Sequence, residues 1–253
     1  MSADRVAARA DGSVLHLTLN RPEKRNAIDR AMVDQLLELL DEADLNAAVK
    51  VVVLRGAGSD FCAGADLREL LGSLESSEEE HLKDALKLGQ VFVRIRQIPK
   101  PFVAAVHGRT LAGGCGLALA CDIVVARSDA TLGYPEIARG FVPAMVMALL
   151  RRSVGEKAAF DLAASGRLIS AERAREMGLV SRVVPPEQFE TEVSRLVESL
   201  ASSSVTALAL TKRLFYAIDM MDFSDAVRLG AKVNALARST PDFRESVERF
   251  LRR

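Results

Sequence analysis

The 253 residues carry 34 lysines and arginines against 34 aspartates and glutamates, and 49% are apolar, so the chain can bury a full core and shows no basic excess. With aromatic residues at 5%, it also lacks the stacking surfaces of a nucleic-acid binder. The apolar stretches at 111–126 and 141–150 are interrupted or too short for the roughly 20 residues of a transmembrane helix, and residues 1–11 show no signal-peptide pattern.

The expected compartment is therefore the cytoplasm, with no membrane or nucleic acid as partner. Cys62, Cys115 and Cys121 fit neither an even-numbered disulfide framework nor a CxxC zinc pattern, and they are expected as buried reduced thiols. No metal-ligand cluster is visible.

In chain order, Leu15, Leu17 and Leu19 alternate with His16 and Thr18, the period of a half-buried strand, which Asn20, Arg21 and Pro22 end. Asp29 is a good N-cap, and Met32, Leu36, Leu39, Leu40 and Ala43 then recur at helical spacing. Residues 49–54 form a β-branched run stopped by Gly56 and Gly58, as in a strand covered on both faces. Strand, helix and strand in that order predict an α/β fold. Residues 74–84, rich in serine and glutamate, predict a solvated helix or loop, with a lid as the alternative. Further strands are expected at 102–106, 123–126 and 180–184.

After Pro186 the pattern is helical to the end, with Phe189, Val193, Leu196 and Leu200 on one face. The helices from Thr206 onward carry Leu210, Leu214, Phe215, Met220, Met221, Phe223 and Phe250, more apolar surface than an edge element leaves in water. A core region at 1–195 and a helical, subunit-joining region at 196–253 are expected.

Two glycine-containing turns carry the chemistry. One runs through Phe61, Cys62, Ala63, Gly64, Ala65 and Asp66 into a helix beginning near Leu67; the other runs through Leu111, Ala112, Gly113, Gly114, Cys115 and Gly116 into a second helix. Small residues let a ligand approach the backbone, and the helix that follows turns free N–H groups and its positive end toward an anion. Taken alone, either turn also reads as a tight strand-to-helix connection. Neither is a P-loop, because no Gly-Lys-Ser or Gly-Lys-Thr closes it.

These turns, together with Asn20-Arg21-Pro22-Glu23-Lys24-Arg25-Asn26-Ala27, Val106-His107-Gly108, Ala120-Cys121-Asp122, Tyr134-Pro135-Glu136-Ile137 and Ala174-Arg175-Glu176-Met177-Gly178-Leu179-Val180, resemble the enoyl-CoA hydratase/isomerase (crotonase) superfamily over nearly the whole chain. The resemblance implies a spiral of repeated ββα-like turns with a helical C-terminal region, an acyl-CoA thioester substrate, and a homotrimer or dimer of trimers. Coenzyme A would enter as part of the substrate, with no metal and no separate cofactor. It also implies an oxyanion hole made by the N–H groups of Ala65 and Gly113. Losing one such donor costs about 3 to 4 kcal/mol of transition-state stabilisation. Contacts to coenzyme A or substrate are implied for Lys24, Arg25, Ala27, Ala63, Asp66, Leu67, Gly116 and, from the terminal helix, Phe250.

One position departs from the two-carboxylate hydratases of the family. Gly116 stands where they carry the first glutamate, and Glu136 stands at the second. In its apolar surroundings Glu136 is expected to have a raised pKa and to serve as the acid/base. A single glutamate suits hydration of a 2-enoyl-CoA, which ranks first, but also double-bond isomerisation; a non-catalytic acyl-CoA binder is the third alternative. His107 reads as a structural histidine and Asp122 as a structural cap. Cys115 has no base beside it in sequence and is a poor candidate nucleophile.

Overall fold

The computed structural model describes residues 4–252. Met1 and Arg253, the outer bounds of the two expected regions, lie outside the described residues.

The chain opens with a hairpin, β1 (Val6–Asp11) and β2 (Val14–Leu19), whose antiparallel register pairs Val6 with Leu19. The expectation from sequence covered β2 and not β1. Only Val6 of β1 is buried, so this edge strand shows no apolar alternation. Asp29 caps α1 (Arg30–Leu45) as expected, accepting from the Met32 N–H at 2.8 Å. Met32, Leu36, Leu40 and Ala43 form the buried stripe of α1. Next come β3 (Val51–Gly56), α2 (Leu67–Gly72) and α3 (Glu78–Gln97). The serine- and glutamate-rich segment supplies the start of α3, where Ser77 and Glu80 form a reciprocal capping box.

From here the spiral is visible in the pairing. Strand β4 (Phe102–Val106) continues the main sheet, β5 (Arg109–Leu111) turns away to begin a second sheet, and α4 (Gly113–Ala120) closes the turn. The next turn repeats this with β6 (Ile123–Arg127) in the main sheet and β7 (Thr131–Gly133) in the second. Helices α5 (Ala144–Ser153) and α6 (Glu156–Ser165), strand β8 (Leu168–Ser170), α7 (Ala171–Met177) and β9 (Arg182–Val184) follow.

The main sheet has the order β1-β2-β3-β4-β6-β9, parallel except for the opening hairpin, and the second sheet has the order β5-β7-β8. The three strands of the second sheet are three residues each, too short to carry a period. Val51–Leu54 and all of β4 are buried, the burial of parallel strands covered on both faces.

Helix α8 (Phe189–Ala201) covers one face of the sheet with Phe189, Val193, Leu196 and Val197, while α1, α3 and α4 cover the other. Helices α9 (Val205–Ala217), α10 (Phe223–Arg238) and α11 (Pro241–Leu251) end the chain. Lys212 fastens α9 to the core: its ammonium donates to the carbonyls of Ile95 and Lys100 and to Asp122 Oδ2 at 2.7, 2.9 and 2.8 Å. Asp122 also accepts from the Phe102 N–H and the Tyr216 hydroxyl, so its role is structural, but as a link between elements and not as the cap expected from sequence.

Candidate active site

The two glycine turns lie against each other because the first pairs edgewise with the start of the second sheet. Phe61 N–H donates to the His107 carbonyl at 2.9 Å, Cys62 N–H to Arg109 at 3.0 Å, and Leu111 N–H back to Cys62 at 2.9 Å. Gly64 then turns with φ +94°, and a Cβ there would sit 2.8 Å from the Ala112 Cβ and 3.2 Å from the Leu111 carbonyl oxygen. Glycine is required here by both its dihedral and its neighbours. Ala65 forms a parallel bridge with Ile28, whose N–H and carbonyl are bonded to Gly64 O and Asp66 N, both at 2.8 Å. In such a bridge Ala65 turns its own N–H away from residue 28.

On the second turn, register pairs Leu111 with Gly133, and Ala112 N–H donates to the Gly133 carbonyl at 2.9 Å. Ala112 itself has φ +52° and ψ −119°, a conformation costly for a residue with a side chain. It orients the peptide that carries the Gly113 N–H at the first position of α4, where no side chain caps the helix and no intrahelical acceptor exists. Helix α4 is buried from Gly114 to Ala120, so its positive end is poorly screened by water. The two predicted donors thus lie on abutting segments. A Cβ on Gly64 would be only 3.8 Å from Gly113 N.

Glu136 reaches the same end of the second sheet. It lies just past Gly133, in a short 3-10 turn (Pro135–Arg139) that starts with proline and ends on Gly140 at φ +68°. Its Oε2 is buried with no hydrogen-bond partner. Desolvation raises its pKa above the ordinary carboxylate value, against the opposing pull of its own backbone N–H and of Arg139.

Among the residues expected to meet coenzyme A, Lys24 and Arg25 are exposed, Ala27 and Ala63 are partly buried, and Ala63 N–H donates to the Arg25 carbonyl at 3.0 Å. The residues that fasten this corner were not anticipated from sequence. Buried Arg21 donates to the Ala27 carbonyl at 2.6 Å and pairs with Asp66 at 2.9 Å and Asp29 at 3.3 Å. Burial pushes the Asp66 carboxyl upward, but the hydrogen bonds and charge of Arg21 prevail and hold it below its ordinary value. Asp66 also caps α2, and Leu67 stands exposed at the head of that helix. Asn26 is fully buried and bonds the carbonyls of Ala57 and Asp60 at 2.8 and 2.7 Å.

Two residues expected to contact coenzyme A or substrate, Gly116 and Phe250, stand apart from the others in the single chain. Gly116 does not face an open space: a Cβ there would lie 2.5 Å from Phe92 Cζ and 2.7 Å from Val146 Cγ1, so these side chains fill the place of the family's other glutamate. Phe250 is not gathered with the other residues. It is 75% exposed on α11, whose main contacts are with α9 and α10. His107 is buried with Nε2 at 3.1 Å from the Gly58 carbonyl, a structural role. Burial pushes the Cys62 and Cys115 thiols up to about 12, leaving them protonated and unreactive.

The arrangement combines two N–H groups without a partner among the described residues, a helix start and one desolvated carboxyl, which suits stabilisation of a thioester enolate coupled to proton transfer. The family model for enoyl-CoA hydratase/isomerase matches residues 9–253. The chain belongs to the enoyl-CoA hydratase/isomerase family. It is 45% identical over 239 residues to a Thermus thermophilus protein described as "Putative enoyl-CoA hydratase", covering 94% of each chain. It is 35% identical over 241 residues to the 2,3-dehydroadipyl-CoA hydratase of Escherichia coli, covering 95% of this chain and 92% of that one. The crystal structure of a Mycobacterium smegmatis enoyl-CoA hydratase superposes with a TM-score of 0.95 at 34% identity, over 98% of this chain and 96% of that chain. The fold is accordingly the crotonase fold of this enoyl-CoA hydratase/isomerase family.

Proposed function

We propose that the protein hydrates a 2-enoyl-CoA with Glu136 as its one proton carrier. The thioester oxygen lies between the N–H groups of Ala65 and Gly113. Glu136 takes a proton from water as the water oxygen bonds to C3, and the electron pair of the double bond moves onto the thioester as an enolate held by the two donors. Glu136 then returns the proton to C2 as the enolate collapses. The observation that carries this reading is the buried, unpartnered Oε2 of Glu136, on the turn that follows Gly133, whose carbonyl accepts the Ala112 N–H of the second loop. Metal and redox cofactors have no step in it, so a chelator should leave turnover unchanged.

The filled space at Gly116 favours a second reading, isomerisation, because a shuttle between C4 and C2 also needs only one carboxyl. Product masses decide between them. Hydration of a 2-enoyl-CoA adds one water, whereas conversion of a 3-enoyl-CoA to its conjugated isomer leaves the mass unchanged. Isomerisation alone would overturn the first reading.

The expected boundary at 195/196 falls inside α8, whose Leu196 and Val197 pack on the sheet, so it is α9, α10 and α11 that are proposed to join copies of the chain into a trimer or dimer of trimers. Among the described residues of α9, α10 and α11 only Lys212 is buried, while Phe215, Met220, Phe223 and Phe250 stand in water in the single chain. A monomer in light scattering at micromolar concentration would refute this. In such an assembly Phe250 would meet the nucleotide across a subunit boundary.

A further inference from the structure

At the carboxyl ends of β3, β4 and β6, on the side covered by α8, lies a polar cavity that the proposed reaction does not use. Register builds it. Arg55 follows Val53 by two residues and Arg127 follows Val125 by two, so both stand on the face that packs against Phe189 of α8. Arg55 pairs with Ala105 in β4 and Ala105 with Val125 in β6, so a methyl group is all that β4 places between the two arginine strands. His107, Phe189 and Glu190 complete the lining. The cavity is about 190 Å³, below the roughly 300 Å³ at which pockets for drug-sized ligands begin, so an occupant must be small.

The cations lie deeper than the carboxylates that hold them. Side-chain exposure is 25% for Arg55 and 29% for Arg127, against 69% for Glu190, which accepts from Arg55 Nη1 at 3.1 Å, and 48% for Asp129, which accepts from Arg127 Nε and Nη2 at 2.7 and 2.6 Å. Asp60, also near His107, is taken up by the Arg109 N–H and the Ser59 hydroxyl. Arg55 Nε is buried and has no partner among the described residues, and a buried donor left so calls for an acceptor. Burial lowers the His107 pKa most, and among the charges around that ring Arg127 weighs more than Asp129 or Asp60. Burial likewise leads at His16 on β2, where Arg55 outweighs Glu190.

We propose that this cavity binds a small, doubly charged oxyanion between Arg55 and Arg127, apart from the acyl-CoA site. Two planar guanidiniums offer donors to oxygens on opposite sides of such an ion, each orienting it as a fork and not as a point charge. Inorganic phosphate and a short dicarboxylate share that chemistry. A cation of the same size would meet the two buried positive charges first.

Inorganic phosphate and malonate are the probes, titrated calorimetrically into the whole protein at constant ionic strength against a chloride control. At least one should bind saturably, and the tighter of the two identifies the kind of oxyanion. Arg55→Met and Arg127→Met should each weaken that binding about tenfold or more, the loss of charge-assisted hydrogen bonds. Glu190 and Asp129 stay largely solvated in these variants, so both should fold, which a thermal melt checks. Phosphate is also part of coenzyme A, so a double variant, Lys24→Ala with Arg25→Ala, separates the two places: it should keep affinity for the ion within about threefold of wild type. In NMR the titration midpoint of His107 should rise when the ion binds, because an added negative charge favours the protonated ring. No saturable binding of either ion, binding abolished by the Lys24 and Arg25 double variant, or binding indifferent to both Arg55→Met and Arg127→Met would overturn the inference.

Discussion

The loop of residues 61–66 carries its positive-φ turn on a glycine, Gly64, and is fastened at its rim by the Arg21–Asp66 ion pair. The loop of residues 111–116 carries its turn on an alanine, Ala112, and is held by the packing of α4 against α3 and α5. Both present the first turn of a helix and an unpaired N–H. The difference is in what holds each N–H still. At the first loop, near solvent, charges and hydrogen bonds do so; at the second, in the core, side-chain volume does. A strained alanine persists only where its surroundings over-determine it, and the buried run from Gly114 to Ala120 provides such surroundings.

If the loops bind and Glu136 carries the proton, removing its acid/base function should separate the two tasks. Glu136→Gln is expected to lower turnover by about 100- to 10,000-fold while affinity for butyryl-CoA stays within about tenfold. An equal loss in both would place Glu136 among the binding groups. The pH profile sharpens the point. The carboxyl must be ionised to act as base and its pKa is raised above 4.5, so kcat/KM should rise with pH through a midpoint above 4.5. The same shift means that ionising Glu136 costs more in the folded than in the unfolded chain, so its contribution to stability is present at low pH and lost as pH rises through the folded value.

The contrast between the loops also explains what the sequence made legible. Strands β2, β3 and β4 and helix α1 follow from local period and the Asp29 cap, and the two loops follow from their small residues and family motifs. Arg21 was passed over because an arginine between a strand and a proline gives no local sign that it will be buried against Asp66 and Asp29. Phe92 and Val146 come from two helices on either side of Gly116 in the chain, and only packing shows that they meet over it. The sequence exposes an absent carboxylate at that position but not the ring edge that has taken its space.

Removing the charge that fastens the first loop is the next largest perturbation. Arg21→Met leaves Asp66, at a side-chain exposure of 14%, without its cation, while Asp29 keeps Arg5 at 3.0 Å. Breaking such a pair from one side costs about 3 to 5 kcal/mol, measurable by denaturant unfolding. Arg21 holds the Asp66 pKa below 3.8, so the stability from that pair is fully present above the unfolded value and is lost as pH falls through the lower folded value. The gap between wild type and Arg21→Met should therefore be widest near neutral pH and narrow in acid. A gap independent of pH would mean that the packing of the arginine stem, and not its charge, holds the loop.

The smallest effects come from exchanging the two turn residues, and they decide whether the loops share one space. Gly64→Ala places a methyl 2.8 Å from the Ala112 Cβ at a φ of +94°, so steric conflict and backbone strain act together. A loss of about 2 to 3 kcal/mol is expected. Ala112→Gly works in opposing directions: it releases the strain of φ +52°, but gives up a buried methyl and adds freedom to the unfolded chain. Its net change should stay within about 1 kcal/mol of wild type. The double variant carries the argument, because removing the Ala112 methyl clears the nearest obstacle to one at residue 64 and leaves the Leu111 oxygen at 3.2 Å as the next. Its stability should exceed the sum of the single effects by about 1 to 2 kcal/mol, the coupling of residues in direct contact. Strict additivity in urea unfolding would mean that the loops do not touch at this point, and that the two N–H groups are positioned independently of each other.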